Sequence, residues 1–508
     1  MNEPVILAID QGTTNTKAVL VEPNGRIVAR ASIRVPLDFP APGWVESDGR
    51  AIWATVLEAI ERCMAAAGDA TITAVGVTNQ RESVLAWDRG TGEPLGPCVS
   101  WQCRRSTAIC EDLRDRALEP TVRAKTGLGL DPMFSATKAR WLLDHIDQGQ
   151  ARAARGKLCV GTVDSWLAWN LSGGTAFVTD LTNASRTLLL DLDKLRWDND
   201  LLALFGVPSA ALPEVRASSG QCGTTKAQGS IPGGIPIAAL IGDSHAALFG
   251  HGAPPYGTVK VTYGTGSSVM MPVAARSDAE GLSSTIAWSL ERPEPMGTDV
   301  VYALEGNIIA TGATLAWLTD ILGLADEAAL GRLAAEVVDT GGVVVVPAFA
   351  GLGAPHWDAG ARGLVAGLTR GSSRAHLALA AFESVGYQVR DIIEVLRVAA
   401  PERPAALVAD GGAMQSDLLA RLQADILGLP VLRSRSLDVA ALGAAYLAGL
   451  ATGTWDSPEA IRHLPRSFDT FGPTVAAEAR ERGYLDWRAA LDRSRSRPDG
   501  ARRVGKET

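Results

Sequence analysis

Short runs of β-branched residues alternate along this chain with longer stretches that have the 3.6-residue periodicity of amphipathic helices. Such alternation predicts an α/β fold, in which helices cover the faces of a sheet. The apolar runs predict strands at 5–9, 17–21, 27–33, 72–77, 83–87, 258–263, 268–273, 343–347 and 406–409. The helical periodicity predicts helices at 51–66, 137–148 and 374–397, of which the last has a continuous apolar face.

The first three predicted strands are separated by tight turns in "ILAIDQGTTNTKAVLVEPNGRIV", so they should form an antiparallel meander. The first strand ends at Asp10, and Gly12, Thr13 and Thr14 follow directly. The glycine lets the backbone approach a phosphate, whose oxygens accept hydrogen bonds from N–H groups and hydroxyls. A carboxylate at the strand end can hold Mg²⁺. A hairpin whose turn contains these residues by chance is the alternative that the local pattern leaves open.

The second half of the chain repeats this arrangement. The stretch "GTVKVTYGTGSSVMM" predicts strand, a turn at Gly264-Thr265-Gly266, and strand again. Later, Asp410-Gly411-Gly412 stands between a predicted strand and a predicted helix, where the backbone can lie against an adenine or a ribose. The repeat indicates a duplicated α/β unit, divided near residue 250, with a nucleotide held from both sides of a cleft.

Composition narrows the class of protein. A chain of 508 residues exceeds what one hydrophobic core usually serves, so two or more domains are expected. The net charge of −8 gives no general attraction to nucleic acid. The six cysteines include no C-x-x-C pair, which indicates reduced thiols and a cytoplasmic location. No stretch reaches the ~18 uninterrupted apolar residues of a membrane span. We therefore expect a soluble cytoplasmic protein.

The ordered motifs resemble the FGGY family of sugar and polyol kinases, within the actin-like ATPase superfamily, and are most similar to its glycerol kinase members. The matching stretches run from about residue 5 to 488 and are "DQGTTNTKAV", "PGWVE", "TNQRES", "WQCRR", "TKARWLLDH", "TNASRT", "GDSHAALFG", "YGTG", "ALEG", "GLGAPHWD", "ARGLVAGLTRG" and "ALGAAYLAGLA". The resemblance implies two actin-like (ribonuclease H-like) ATPase domains that flank a catalytic cleft. Residues 1–250 would bind the polyol and the phosphates, 251–488 the nucleotide, and 489–508 would form a flexible tail.

The resemblance also assigns roles, with ATP and Mg²⁺ as cofactors. It makes Asp243 the catalytic base and Asp10 the acid associated with the metal. The substrate-binding positions that it implies are Arg81, Glu82, Trp101, Met133, Asp243, Ser244 and Ser268. The nucleotide-binding positions are Thr13, Thr14, Asn15, Lys17, Thr265, Gly312, Ala316, Gly412 and Ser416. The residues alone leave a simpler alternative open for each of these roles. Asp243 is also suited to be a helix N-cap, and Trp101 an ordinary core residue. Arg81 and Glu82 are also suited to form a weak surface ion pair.

Several of these positions depart from the usual family pattern. Met133 stands where glycerol kinases usually have a tyrosine, Ser244 where they have a glutamine, and Ser268 where they have a phenylalanine. These changes should widen and reshape the polyol pocket. Ala316 and Ser416 replace polar residues near the nucleotide.

The expected reaction is therefore ATP-dependent phosphorylation of glycerol to sn-glycerol 3-phosphate. A kinase of a longer polyol or ketose, of the tetritol or pentitol class, is the alternative on the same scaffold. A non-catalytic actin-like or chaperone-like ATPase is the rival from another functional class. The partners expected are a small polyol substrate and other copies of the chain, in a homo-oligomer (dimer or tetramer).

Overall fold

Among the residues that the structure describes, thirteen strands form one mixed sheet at the centre of the protein. The computed structural model describes residues 4–68, 70–292 and 297–496. In chain order the strands are β1 (Pro4–Gln11), β2 (Asn15–Val21), β3 (Ile27–Arg34), β4 (Glu46–Ser47), β5 (Thr71–Asn79), β6 (Val84–Asp88), β7 (Cys98–Val99), β8 (Leu158–Thr162), β9 (Val178–Asp180), β10 (Leu190–Asp191), β11 (Arg196–Trp197), β12 (Glu214–Arg216), β13 (Ser219–Thr224), β14 (Pro236–Gly242), β15 (Thr258–Tyr263), β16 (Ser267–Val273), β17 (Ser283–Glu291), β18 (Thr298–Ile308), β19 (Val344–Val346), β20 (Leu364–Ala366), β21 (Ala406–Asp410), β22 (Val431–Ser434) and β23 (Phe468–Phe471). The order across the central sheet is β23-β22-β21-β15-β16-β18-β17-β13-β14-β5-β1-β2-β3.

Helices surround this sheet. They are α1 (Gly49–Ala67), α2 (Thr107–Asp115), α3 (Glu119–Thr126), α4 (Ser135–His145), α5 (Gly149–Ala154), α6 (Val163–Leu171), α7 (Leu181–Ala184), α8 (Asn199–Phe205), α9 (Asp243–Gly250), α10 (Gly312–Ile321), α11 (Glu327–Ala334), α12 (Arg374–Ala399), α13 (Asp417–Leu427), α14 (Val439–Ala451), α15 (Pro458–Arg462) and α16 (Ala477–Ser494). The longest is α12, whose apolar face packs against β15, β16 and β18 in one large core cluster.

The predicted strands and helices agree with this structure to within a few residues at each end. The antiparallel meander of β1, β2 and β3 is confirmed, with Asp10 opposite Lys17 in the register of β1 and β2. The second strand-turn-strand unit is also confirmed, because β15 and β16 pair antiparallel around the turn that contains Thr265. Both turns lie where apolar periodicity stops at glycine and threonine, which is why local sequence was sufficient to find them.

The two halves of the chain share a sheet and a core. The sheet passes from one half to the other where β13 and β17 pair through Ser219 and Leu290. Helix α14, from the second half, packs on β1, β5 and β14 of the first half. There Ala444 and Ala445 join the apolar cluster that contains Ile6. The division into 1–250 and 251–488 stays a prediction.

The predicted tail at 489–508 needs correction at its start. Helix α16 continues to Ser494, with Ala490 and Leu491 buried against the rest of the protein. Ser496 Oγ then donates a hydrogen bond to Asp358 Oδ1 at 2.7 Å. Apolar residues at helical spacing, from Tyr484 through Trp487 to Leu491, anchor this segment despite its many charges. Residues 497–508 lie outside the described residues.

Two further features bear on composition. All six cysteines are free and buried, so none of them forms a disulfide. Within residues 4–68, 70–292 and 297–496, no helix combines the length and the apolar composition that crossing a membrane requires.

Candidate functional site

Three parallel strands of the first half end at the same edge of the sheet. Residue Asn79 of β5 lies opposite Gln11 of β1 on one side and opposite Gly242 of β14 on the other. The segments that follow these strands therefore converge. They carry the Gly12-Thr13-Thr14 turn, the Arg81-Glu82 pair and Asp243. Motifs that are far apart in the sequence, at residues 12–14, 81–82 and 243, thus come together because their strands are neighbours.

Asp243 occupies the first turn of α9, directly after the buried strand β14. Its Oδ1 accepts a hydrogen bond from the Ser244 backbone N–H at 2.6 Å and lies 3.2 Å from Arg81 Nε. The N-cap position belongs to Gly242, so Asp243 does not cap the helix. Its side chain keeps 41% of its surface exposed. The carboxylate is therefore held in place yet open to a bound molecule.

Opposing effects act on the basicity of Asp243. Burial of the surrounding site raises the pKa of Asp243 above its ordinary 3.8; Arg81 opposes this shift, and the charge of Glu82 adds to it. The helix N-terminus also favours the charged form. A carboxylate with a raised pKa is a better proton acceptor than a free aspartate.

Arg81 and Glu82 each pair with a residue from another element rather than with each other. Arg81 Nη1 lies 2.8 Å from Glu305 Oε1, on β18, and Glu82 Oε1 accepts from Arg186 Nε at 2.6 Å. Arg186 Nη1 in turn lies 2.8 Å from Glu305 Oε2. The side chains of Glu305 and Arg186 have no exposed surface. These four residues form a buried charge cluster beside Asp243, rather than the weak surface pair that was the alternative.

Backbone geometry supports the same cluster. Glu82 has a φ of 61°, in the left-handed region that a glutamate rarely adopts. Its carbonyl accepts a hydrogen bond from Ser135 Oγ at 3.0 Å. Strain of this kind persists where surrounding contacts fix the residue, and it is frequent at functional sites.

Glu305 and Arg186 were not predicted as site residues, although the stretches "ALEG" and "TNASRT" contain them. A usable signal was present at Glu305, because a single acid inside the apolar strand "VVYALEGNII" implies a buried charge. Buried carboxylates need a cationic partner. The sequence could not name that partner, since Arg81 and Arg186 come from elements more than 100 residues away.

Ser244 and Ser268, the two serines that depart from the usual family pattern, belong to one chain of hydrogen bonds. Lys260 Nζ donates to Ser244 Oγ at 2.8 Å, the oxygens of Ser244 and Ser268 are 2.6 Å apart, and Ser268 Oγ donates to Glu305 Oε1 at 2.9 Å. Lys260, which was not predicted as a site residue, is fully buried. Burial lowers the pKa of Lys260, and the charge of Asp410 opposes that shift. We call Lys260, Ser244, Ser268 and Glu305 the serine chain.

Trp101 and Met133 lie at the outer side of the same region. Trp101 Nε1 donates to Thr13 Oγ1 at 2.9 Å, so the indole contacts the turn between β1 and β2. Met133 packs against the apolar cluster around α4, and its carbonyl accepts from the buried Lys138 Nζ. Two residues later, Ser135 contacts Glu82. Met133 thus lies next to the segment that carries Glu82.

The predicted nucleotide side is built from three turns of the second half. Strands β15 and β21 are parallel neighbours, so the turns after Tyr263 and Asp410 lie side by side. Gly411 has a φ of +100°, and a Cβ there would lie 2.3 Å from Tyr263 O, so only glycine fits. Gly312 N donates to Gly264 O at 3.0 Å, which brings the start of α10 against the turn that contains Thr265.

The remaining nucleotide positions differ in exposure and contact. Gly412 faces open space, with no heavy atom within 4 Å of a Cβ built on it. Ala316 is exposed on α10, one helical turn after Gly312. Ser416 is the N-cap of α13, where its Oγ accepts from Leu419 N. In the first half, Thr14 is exposed in the turn between β1 and β2, and Asn15 is exposed at the start of β2.

Asp10 and Lys17 lie beneath that turn and meet a residue of the second half. Lys17 Nζ is 3.8 Å from Asp10 Oδ2 and 3.2 Å from Asp438 Oδ1. Burial raises the pKa of Asp10 to about 6; Lys17 lowers it, and the charges of Asp243 and Asp438 raise it. Asp438, which the sequence did not single out, directly precedes α14, so its ion pair with Lys17 links β2 to the second half of the chain.

The donor set around Asp10 fits a magnesium ion that is bound together with phosphates. Asp10 is close enough to Asp243 for the charge of one to raise the pKa of the other. Among the described residues, no group of three or more His, Cys, Asp or Glu side chains forms a cage for a metal. Mg²⁺ usually takes only one or two protein carboxylates and completes its shell with phosphate oxygens and water. Asp10 supplies one such carboxylate.

Comparison with known proteins agrees with the geometry. The family models for the N-terminal and C-terminal domains of the FGGY family of carbohydrate kinases match residues 5–250 and 259–452. A protein named apulose kinase from Pectobacterium atrosepticum is 45% identical over 502 residues, covering 98% of this chain and 100% of that protein. A glycerol kinase from Stenotrophomonas maltophilia is 46% identical over 498 residues, covering 97% and 98%.

Solved structures give the same result for the fold. The crystal structure of Plasmodium falciparum glycerol kinase with ADP superposes with a TM-score of 0.91 at 30% identity, covering 98% of this chain and 99% of that one. Xylulose kinase from Rhodospirillum rubrum superposes with a TM-score of 0.85 at 26% identity, covering 96% and 98%. The predicted two-domain α/β class, consistent with an actin-like ATPase fold, is confirmed. This chain belongs to the FGGY family of carbohydrate kinases.

Proposed function

We propose that this protein transfers the γ-phosphoryl group of ATP to a hydroxyl of a small polyol or ketose, with Asp243 as the general base. The observation that carries the proposal is the partly exposed Asp243 carboxylate, fixed by Arg81 beside the phosphate turn. In this reaction a bond forms between the substrate oxygen and the γ-phosphorus, and the bond to the β–γ bridging oxygen breaks. The hydroxyl proton goes to Asp243, and ADP leaves with the charge of the broken bond.

The residues around Asp243 suit the other requirements of phosphoryl transfer. Thr13, Thr14 and Asn15 offer hydroxyl, amide and backbone donors to phosphate oxygens from the first half. The turns at Thr265, Gly312 and Gly412 offer backbone surfaces to the nucleotide from the second half. Asp10 would hold Mg²⁺, which supplies positive charge to the transferred phosphoryl group when it is bound. Arg81 and Glu82 offer hydrogen-bond donors and acceptors to neighbouring hydroxyls of the substrate.

Two substrates are candidates. Glycerol, giving sn-glycerol 3-phosphate, is favoured by the many relatives that are named glycerol kinase. A longer polyol or a ketose is favoured by the relative named apulose kinase and by the polar character of the serine chain. A homo-oligomeric state and a cytoplasmic location stay predictions.

Turnover of ATP by the purified protein, with and without added polyol, tests the reaction class. We expect ADP formation to depend on a polyol or ketose and on Mg²⁺, with one phosphorylated product for each ADP. Turnover that is independent of every polyol and ketose would favour the non-catalytic actin-like ATPase and would overturn the proposal. Profiling of three- to five-carbon substrates then separates the two candidate substrates.

A further inference from the structure

The serine chain has a fixed direction of hydrogen bonding. Although burial raises the pKa of Glu305, the charges of Arg186 and Arg81 outweigh it and hold that pKa below its ordinary value. Glu305 is therefore ionised and can only accept. Ser268 consequently donates its one proton to Glu305, and it must accept from Ser244.

Lys260 determines the other end of the chain. The Ser244 proton is used in the 2.6 Å contact with Ser268, so the 2.8 Å contact with Lys260 requires Nζ to donate. This holds whether the amine is charged or neutral, because both forms carry N–H groups. The order of donation is Lys260 to Ser244, Ser244 to Ser268, and Ser268 to Glu305.

Each serine oxygen has two lone pairs and uses one of them as an acceptor within the chain. The proton of each serine is already engaged, so what remains on each is a single acceptor position. Lys260 and Glu305, at the two ends, have no exposed surface, and Ser244 has 7%. Ser268 keeps a partly exposed surface. The serine chain therefore presents a hydrogen-bond acceptor, and no free hydrogen-bond donor, beside Asp243.

We propose that Ser268 and Ser244 form a specificity element that accepts a hydrogen bond from an additional hydroxyl of a substrate longer than glycerol. Glycerol has three hydroxyls, of which one reacts at Asp243 and the others can pair with Arg81 and Glu82. A fourth carbon that carries a hydroxyl would reach beyond these partners and donate to Ser268. The substrate class is then a tetritol, a pentitol or a ketose with a hydroxyl at the end remote from the reacting carbon. This inference rests on the proposed kinase function and selects between its two candidate substrates.

The test compares substrates that differ only in that hydroxyl. Erythritol is paired with 1,2,3-butanetriol, xylulose is paired with 1-deoxyxylulose, and glycerol serves as the reference. A hydroxyl that binds at a polar site is worth a tenfold to hundredfold preference over its absence. We expect at least one hydroxyl-bearing member to exceed both glycerol and its deoxy partner by tenfold or more in kcat/KM. This comparison needs only the parent protein.

A pair of isosteric variants assigns the preference to Ser268. Ser268→Thr keeps the hydroxyl, whereas Ser268→Val replaces it with a methyl group in the same shape. The preference for the hydroxyl-bearing substrate should persist in Ser268→Thr and fall below threefold in Ser268→Val. Ser284→Ala is the matched control, because Ser284 is buried two strands away and its hydroxyl has no partner. That control should leave the ratio unchanged.

The outcomes separate this inference from the function on which it rests. Polyol-dependent turnover in which glycerol exceeds every longer substrate by a hundredfold would overturn the specificity element and leave the kinase function standing. An equal kcat/KM for a hydroxyl-bearing substrate and its deoxy partner would also overturn the specificity element alone. So would a preference that is unchanged in Ser268→Val. Absence of turnover with every polyol and ketose would overturn both.

Discussion

Replacing Glu305 by glutamine should destabilise the protein strongly, although the two side chains have the same shape. Glu305 neutralises two arginines, of which Arg186 has no exposed side-chain surface and Arg81 has 8%. Removing one partner of a buried ion pair usually costs about 3–5 kcal/mol, because the remaining charge stays buried without compensation. Arg186 keeps Glu82 at 2.6 Å and Arg81 keeps Asp243 at 3.2 Å. We therefore expect the free energy of unfolding to fall by about 3 kcal/mol, near the lower limit of that range.

Urea unfolding measures this loss directly. Far-UV circular dichroism and tryptophan fluorescence should be recorded together, because a single free energy of unfolding is defined only where both transitions coincide. Glu93→Gln is the matched control, since Glu93 pairs with Arg50 and both side chains are 60% exposed. Exposed pairs contribute little, so its unfolding midpoint should equal that of the parent. A loss below about 1 kcal/mol in Glu305→Gln would refute the description of the cluster as a buried, charge-balanced unit.

Two other perturbations test the proposed metal site at Asp10 and the proposed closure of the two halves. Burial raises the pKa of Asp10 from 3.8 to about 6, so its ionisation opposes folding, and the stability that is present below pH 3.8 is lost as the pH rises through 6. The free energy of unfolding of Asp10→Asn should therefore exceed that of the parent by up to about 3 kcal/mol at pH 7.5 and should equal it at pH 3. The variant should also lose the stabilisation that Mg²⁺ with nucleotide gives the parent. Equal differences from the parent at both pH values would contradict this. Small-angle scattering should show a smaller radius of gyration when a polyol and a non-hydrolysable nucleotide are bound together, because phosphate turns lie in both halves. An unchanged radius at saturation would count against closure.

The elements that could be predicted from sequence are those with a local signal. The strand–glycine–threonine–strand units at Gly12 and Gly264 combine a period-2 apolar pattern with a turn, and both were found with correct pairing. The apolar strand before Asp243 placed it at the start of a helix, but its role as the base came only from the resemblance of "GDSHAALFG" to the family motif. The serines at 244 and 268 were also singled out, but only as replacements for larger residues. Their sequence gave no indication that they contact each other.

What could not be predicted depends on contacts between distant parts of the chain. Lys260 lies on β15 and Glu305 on β18, and Arg186 follows α7; only the folded chain brings these three residues next to Arg81 and Ser244. The pairing of Lys17 with Asp438 joins residues 421 positions apart, at a boundary that local patterns do not describe. The prediction of a flexible tail from residue 489 rested on composition and was wrong at its start. The segment has many charges, but apolar residues at helical spacing from Tyr484 to Leu491 anchor α16.

The most direct test of the proposed function is the single-turnover rate of phosphoryl transfer in Asp243→Asn, with ATP, Mg²⁺ and a polyol or ketose at saturation. The substitution keeps the shape of the side chain and removes its ability to accept a proton. Asp200→Asn, at a side chain that is 87% exposed, is the matched control. We predict that Asp243→Asn binds the substrate and unfolds as the parent does, while transfer slows by about 10²–10⁴-fold. A rate within twofold of the parent would contradict the assignment of Asp243 as the general base.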